Sequence, residues 1–202
     1  MEEFTVAWDY RCPFARNLTE HVLAGTMTGA RWTAHFQAFS LDQANRSDGQ
    51  ADVWDSPPAP GSTKLAMQVG IAVRDHWPES FRSVHPALFA ARHEKDQDLA
   101  DEGVLRAVLT EQGLDADAVI AEATGGAAQT YRREHEQLVA DHHVFGVPTI
   151  VYGEHAAFAR LTERGNWDVE MSRRIIDRLL ALVGGFPELN ELKHTTGPGT
   201  RR

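Results

Sequence analysis

A single cysteine, Cys12, stands in the stretch Asp9-Tyr10-Arg11-Cys12-Pro13-Phe14-Ala15, between an apparent strand and an apparent helix. The residues before it, Phe4-Thr5-Val6-Ala7-Trp8, are β-prone and alternate in bulk, and those after it set Phe14, Leu18 and Val22 on one helical face. This order places Cys12 at a helix N-terminus, where unpaired backbone N–H groups and the helix dipole favour an anion and hence a reactive thiolate. Pro13 suits the first helical turn, where a missing N–H costs nothing. Asp9 and Arg11 flank the thiol and act in opposite directions: a carboxylate disfavours the thiolate and a guanidinium favours it.

Ten histidines raise a metal hypothesis, with His135, His142 and His143 the closest group in sequence. No cysteine or paired carboxylate completes a ligand set with them, so packed histidines are the better reading. The same three residues, on a helix leading into Val147-Pro148, are candidates for stabilising the Cys12 thiolate.

The elements that position these groups follow from periodicity. Ala30 to Phe39 alternates apolar and polar residues and reads as a second strand, joined to the first through a helix in a parallel βαβ arrangement. Leu41 to Pro60, ending in Pro57-Pro58-Ala59-Pro60, reads as an irregular loop with Trp54 as its anchor. Helices are expected from Ser62 to about Trp77, from Ser80 to Glu94 with Pro86 as a kink or restart, and from Leu99 to Gln112. Two more are expected, one after the cap Asp115 and one from Ala127 to His142. Val144 to Tyr152 is the next strand, His155 to Leu161 its hairpin partner, and the closing helix sets Met171, Ile175, Leu179 and Leu182 on one side. A loose Gly/Pro/Arg tail follows. Trp8, Trp32 and Phe36 belong to a sheet core, whereas Trp54 and Trp77 either pack or line a pocket.

Cys12-Pro13-Phe14 after a strand, followed 136 positions after the cysteine by Pro148 in Gly146-Val147-Pro148-Thr149, resembles the thioredoxin superfamily, in particular its DsbA-like branch. The resemblance spans about residues 4–185 and implies an α/β fold, a thioredoxin-like sheet with an inserted all-helical domain. Its domains would be 1–40 with 144–186 (the thioredoxin-like part), 41–143 (loop plus helical insertion) and 187–202 (extension and tail). It implies a cis peptide bond before Pro148 and a substrate groove formed by Pro13, Phe14, Val147 and Pro148, with Val147 offering its backbone to an extended substrate. Ala15 stands where that branch carries its second cysteine. The ending Pro187-Glu188-Leu189 to Glu191-Leu192-Lys193 with threonines after it looks like the actinobacterial mycothiol-dependent reductases.

Chemistry follows from the count of one. A mixed disulfide at Cys12 has no internal thiol to expel it, so a second small thiol must do so. The expected function is a thiol-dependent oxidoreductase or thiol transferase with Cys12 as nucleophile, a small-molecule thiol or disulfide as substrate, and by resemblance a mycothiol-like co-substrate. No bound cofactor or metal is expected, since no nucleotide motif is present. A redox-silent thioredoxin-like binding module is the alternative that Ala15 favours. A formal net charge of −9 argues against nucleic acid or an anionic membrane as partner. A single cysteine and an N-terminus with neither a basic nor an apolar region point to the cytoplasm.

Overall fold

The computed structural model describes residues 1–194; the threonines at 195 and 196 and the Gly/Pro/Arg tail lie outside the described residues. The chain forms a mixed α/β fold of the DsbA-like type, a four-stranded sheet with a helical insertion. It divides into two compact units. Residues 1–8, 14–37 and 147 onward make the first; Asp9–Pro13 with Ala38–Gly146 make the second.

The first unit carries the sheet. Its strands are β1 (Glu2–Trp8), β2 (Trp32–Ala38), β3 (Thr149–Tyr152) and β4 (His155–Phe158), in the order β2-β1-β3-β4. β1 pairs antiparallel with β3 (Val6 opposite Ile150), and β3 antiparallel with β4 (Ile150 opposite Ala157). Helix α1 (Pro13–Gly25) joins β1 to β2, and the last helix, Val169–Gly185, packs on β3 and β4. The core is built from Phe4 and Val6 of β1, Leu18 and Val22 of α1, Trp32, Ile150, and Ile176 and Leu180 of the last helix. Trp32 meets Phe4 edge-on at 5.4 Å, and its indole N–H donates to Asp177 at 2.9 Å.

The last helix departs from the expected face. Ser172, Ile176, Leu180 and Val183 are buried, Ile175 and Leu179 are half-buried, and Met171 and Leu182 are exposed. The stripe is centred one residue later than the largest side chains suggest. The Asp168 carboxylate fixes the start of this helix by accepting from the Met171 N–H at 3.0 Å. The strands after Val144 are also shorter than expected: β3 begins only after Pro148, which has no N–H for a ladder, and β4 ends at Phe158.

The second unit is helical. It comprises α2 (Leu41–Ala44), α3 (Lys64–His76), α4 (Pro78–His93), α5 (Glu102–Glu111), α6 (Ala116–Thr124) and α7 (Gly126–His142); the last helix of the chain is thus α8. The expected irregular loop contains α2 and a 3-10 turn, Val53–Asp55. The Ser40 hydroxyl oxygen accepts from Gln43 N–H at 3.0 Å and so starts α2, a cap that the Pro-rich composition of the stretch obscures. The next helix starts at Lys64, two residues after Ser62, whose hydroxyl oxygen accepts from the Lys64 N–H at 3.1 Å. Every residue from Leu65 to Val73 in α3 is buried. This helix is apolar or small nearly all round because it packs on α4, α6 and α7 together. Pro86 lies inside α4 without ending it. Asp101 and Asp115 cap α5 and α6 by accepting backbone N–H bonds. Among the described residues, no helix is long and apolar enough to cross a membrane.

Candidate thiol site

Cys12 is buried, at 8% exposure, and is not in a disulfide. Its backbone N–H donates to the Asp9 carbonyl at 3.0 Å, closing a turn, and Pro13 follows as the first residue of α1. The turn is held by a side chain rather than by the ladder. Asp9 is fully buried, and its Oδ1 accepts from the Arg11 backbone N–H and from the Thr63 hydroxyl, each at 2.8 Å. Its Oδ2 accepts from the Leu41 N–H at 2.8 Å. Burial pushes the Asp9 carboxyl up, against three hydrogen bonds that favour the carboxylate. Arg11 pairs with Asp42, whose other oxygen accepts from Ser62 Oγ at 2.9 Å. Asp9 and Arg11, expected as opposing influences on the thiol, are thus engaged in fastening residues 9–13 to the segments around 41 and 63.

Tyr10 is the second anchor. Its ring is fully buried, its hydroxyl lies 2.7 Å from Nδ1 of His85, and its carbonyl accepts from Nε2–H of His93 at 2.9 Å. Phe81 stacks on His85 at 4.5 Å, and Phe89 meets Tyr10 edge-on at 4.8 Å. Burial and the nearby Arg74 cation hold His85 well below the ordinary imidazole range, so it is neutral at neutral pH. Gly70 of α3 permits the arrangement: a Cβ there would lie 2.4 Å from the Tyr10 hydroxyl oxygen. The sequence reading missed this anchor. The available signal was Phe81, His85, Phe89 and His93, an aromatic row at fourfold spacing on one helix.

His135, one of the three histidines considered as partners for the thiolate, has its Nδ1 engaged in accepting from the Ser40 N–H at 3.1 Å. It packs against Phe39 at 4.6 Å and Trp54 at 5.6 Å, and burial lowers its pKa to about 4. His142 ends α7, and His143 caps it in the left-handed region with φ 53°. Trp77 is half-buried at the junction of α3 and α4.

The remaining expected site residues belong to the first unit. The Phe14 ring lies under the Arg160 guanidinium at 4.9 Å, a cation–π contact. Ala15 is fully buried, and the polar residues Arg16, Asn17, Glu20 and His21 that follow it are buried as well. Glu20 accepts from Arg16 Nε at 3.1 Å and from Arg164 Nε at 3.0 Å. The Asn17 side-chain amide donates to the Leu161 carbonyl at 2.9 Å, and His21 meets Ser172 at 3.0 Å. Val147 is buried, the Val147–Pro148 peptide bond is cis, and the Pro148 carbonyl accepts from the Ala159 N–H at 3.0 Å. Both motifs straddle the division of the chain: it passes from one unit to the other between Pro13 and Phe14 and again between Gly146 and Val147.

The profile of the DSBA-like thioredoxin domain matches residues 5–176. The chain belongs to that family. Among solved structures, a probable DsbA oxidoreductase of Streptomyces coelicolor is similar at 12% identity with a TM-score of 0.65, over 100% of this chain and 97% of that one. The cytosolic disulfide reductase DsbM of Pseudomonas aeruginosa, solved with GSH, is 12% identical with a TM-score of 0.58, over 89% and 100%. A 2-hydroxychromene-2-carboxylate isomerase is 16% identical with a TM-score of 0.62, over 89% and 96%. No curated protein matches the chain.

As a DSBA-like domain, the chain puts its one thiol directly before a helix whose first residue is proline. A helix start leaves its first backbone N–H groups without intrahelical partners, and the aligned peptide dipoles make that end favourable to negative charge. The chemistry open to such a sulfur is attack on a disulfide, and with one cysteine the product is a mixed disulfide.

Proposed function

We propose that the protein is a one-cysteine thiol oxidoreductase or thiol transferase of the DSBA-like family. Cys12 thiolate attacks a disulfide R–S–S–R′, forming Cys12–S–S–R and releasing R′–S⁻. A second small thiolate then attacks the R sulfur, giving R–S–S–R″ and regenerating the Cys12 thiolate. Electrons balance between the two small molecules, and the protein is unchanged at the end of the cycle. The supporting observation is Cys12 itself: the only cysteine of 202 residues, in the position before the proline that begins α1, with a buried alanine three residues on. Pro13, Phe14, Val147 and Pro148 guide the substrate in this reading. The co-substrate is a small thiol of the mycothiol type and the compartment is the cytoplasm.

A second reading, a redox-silent binding module, is favoured by the 8% exposure of Cys12, because reactive thiols are commonly partly exposed. Incubating the protein with the disulfides of mycothiol, glutathione and coenzyme A separates the two. The proposal expects a mass increment of one thiol on Cys12, removed by excess free thiol and absent from Cys12→Ser. A native protein that takes no adduct, while the same chain unfolded in denaturant takes one, would establish the silent reading instead.

A further inference from the structure

The helical unit contains an open cleft of about 420 Å³ on which Trp54, Leu65 and Gln68, and Ala128, Gln129 and Arg132 of α7 converge. Its size suits a small organic molecule, and Cys12 is not among its lining residues. One side is apolar, formed by the Trp54 indole with Leu65 and Ala128. The indole is braced edge-on against Tyr131 at 5.0 Å, which gives it a fixed orientation.

The polar side identifies the chemistry. Gln68 borders the cleft, and its carboxamide, which is not among the buried unpartnered groups, makes no hydrogen bond to a described residue, so its N–H and C=O groups are available to whatever occupies the cleft. Two cations line the same cleft, and only one has donors to spare. Lys64 Nζ donates to the carbonyls of Val53 at 2.8 Å, Trp54 at 3.2 Å and Ser56 at 2.7 Å, which uses all three of its protons. Arg132 donates through Nε to Glu136 at 2.7 Å, whereas its two terminal nitrogens make no hydrogen bond to a described residue. A planar guanidinium with its terminal fork open is suited to a carboxylate.

We propose that this cleft is a second binding site, for a small organic carboxylate with a flat apolar body. The carboxylate engages the Arg132 fork, the amides of Gln68 and Gln129 supply hydrogen bonds, and the apolar body rests on Trp54.

Calorimetric titration of the full chain with 2-naphthylacetate, and with 2-naphthylacetamide as its neutral counterpart, tests the assignment. The acid is expected to bind at one site, about tenfold more tightly than the amide, as a charge-assisted pair implies. Arg132→Gln should remove that preference, Arg132→Lys should keep part of it, Gln68→Leu should weaken both probes, and Cys12→Ser should alter neither. Far-ultraviolet circular dichroism confirms that each variant is folded; a variant that fails this check is replaced by Gln68→Met or Gln129→Leu. No heat up to the solubility of the acid, equal affinity for acid and amide, or binding indifferent to Arg132 and Gln68 would overturn the proposal.

Discussion

Asp9 is the residue whose role changes most between sequence and structure. Beside a cysteine in a one-dimensional string it reads as a charge acting on the thiol. In the fold its oxygens are engaged by the N–H groups of Arg11 and Leu41 and by the Thr63 hydroxyl, so it sets the backbone path that presents Cys12. Nothing in the local sequence names Leu41 or Thr63 as partners, because hydrogen bonds over 32 and 54 positions leave no periodic trace. Histidines give the residue-scale prediction. Burial holds His135 at about 4 against an ordinary 6.5, and lowers His21 and His85 in the same direction. Between those values the unfolded chain binds more protons than the folded one, so stability rises with pH through that window and is lost as pH falls from 6.5 towards 4. For His135 the loss amounts to about 3 kcal/mol when complete. Urea unfolding between pH 4 and 6.5 should show this slope, and His135→Asn, which keeps an acceptor for the Ser40 N–H, should flatten it. An unchanged slope in that variant would contradict the assignment.

At the scale of elements, periodicity located helices well but misjudged how much of each is buried. α1 reads as amphipathic from Phe14, Leu18 and Val22, yet every residue from Ala15 to Gly25 is buried, including Arg16, Glu20 and His21. Asn17, Glu20 and His21 find partners on the segment 161–172, 144 to 151 positions away, which a helical wheel does not show. α3, with Leu65, Val69 and Val73 at fourfold spacing, likewise reads as a stripe, yet every residue from Leu65 to Val73 is buried. Its Gly70 gives the prediction for this scale. A methyl group at that position meets the hydroxyl of Tyr10, which is held by His85 and cannot move aside cheaply. Gly70→Ala should therefore destabilise the protein by roughly 1–3 kcal/mol, although alanine favours a helix more than glycine does. Chemical denaturation measures this directly. A neutral or stabilising result would show that Tyr10 is not fixed as described, and pairing the change with Tyr10→Phe should recover part of the loss.

For the whole molecule, the order of elements and the two motifs were legible because each is local: a strand, Cys12-Pro13 and a helix, then Gly146-Val147-Pro148-Thr149 and a strand. The match of the DSBA-like domain over residues 5–176 bears out the fold read from them. The anchors of the first motif, Thr63, His85 and His93, were not legible, because they come from the helical insertion, whose helices the sequence shows but whose packing it does not. What one sulfur can do depends on whether it can be regenerated by a thiol from solution. The central claim is that Cys12 turns over, and counting turnovers tests it most directly. With the protein at catalytic concentration, a small-molecule disulfide and an excess of a second thiol, the account predicts consumption of many equivalents of disulfide per protein above the uncatalysed rate, abolished in Cys12→Ser. Consumption of no more than one equivalent, or a rate that Cys12→Ser leaves unchanged, would contradict it.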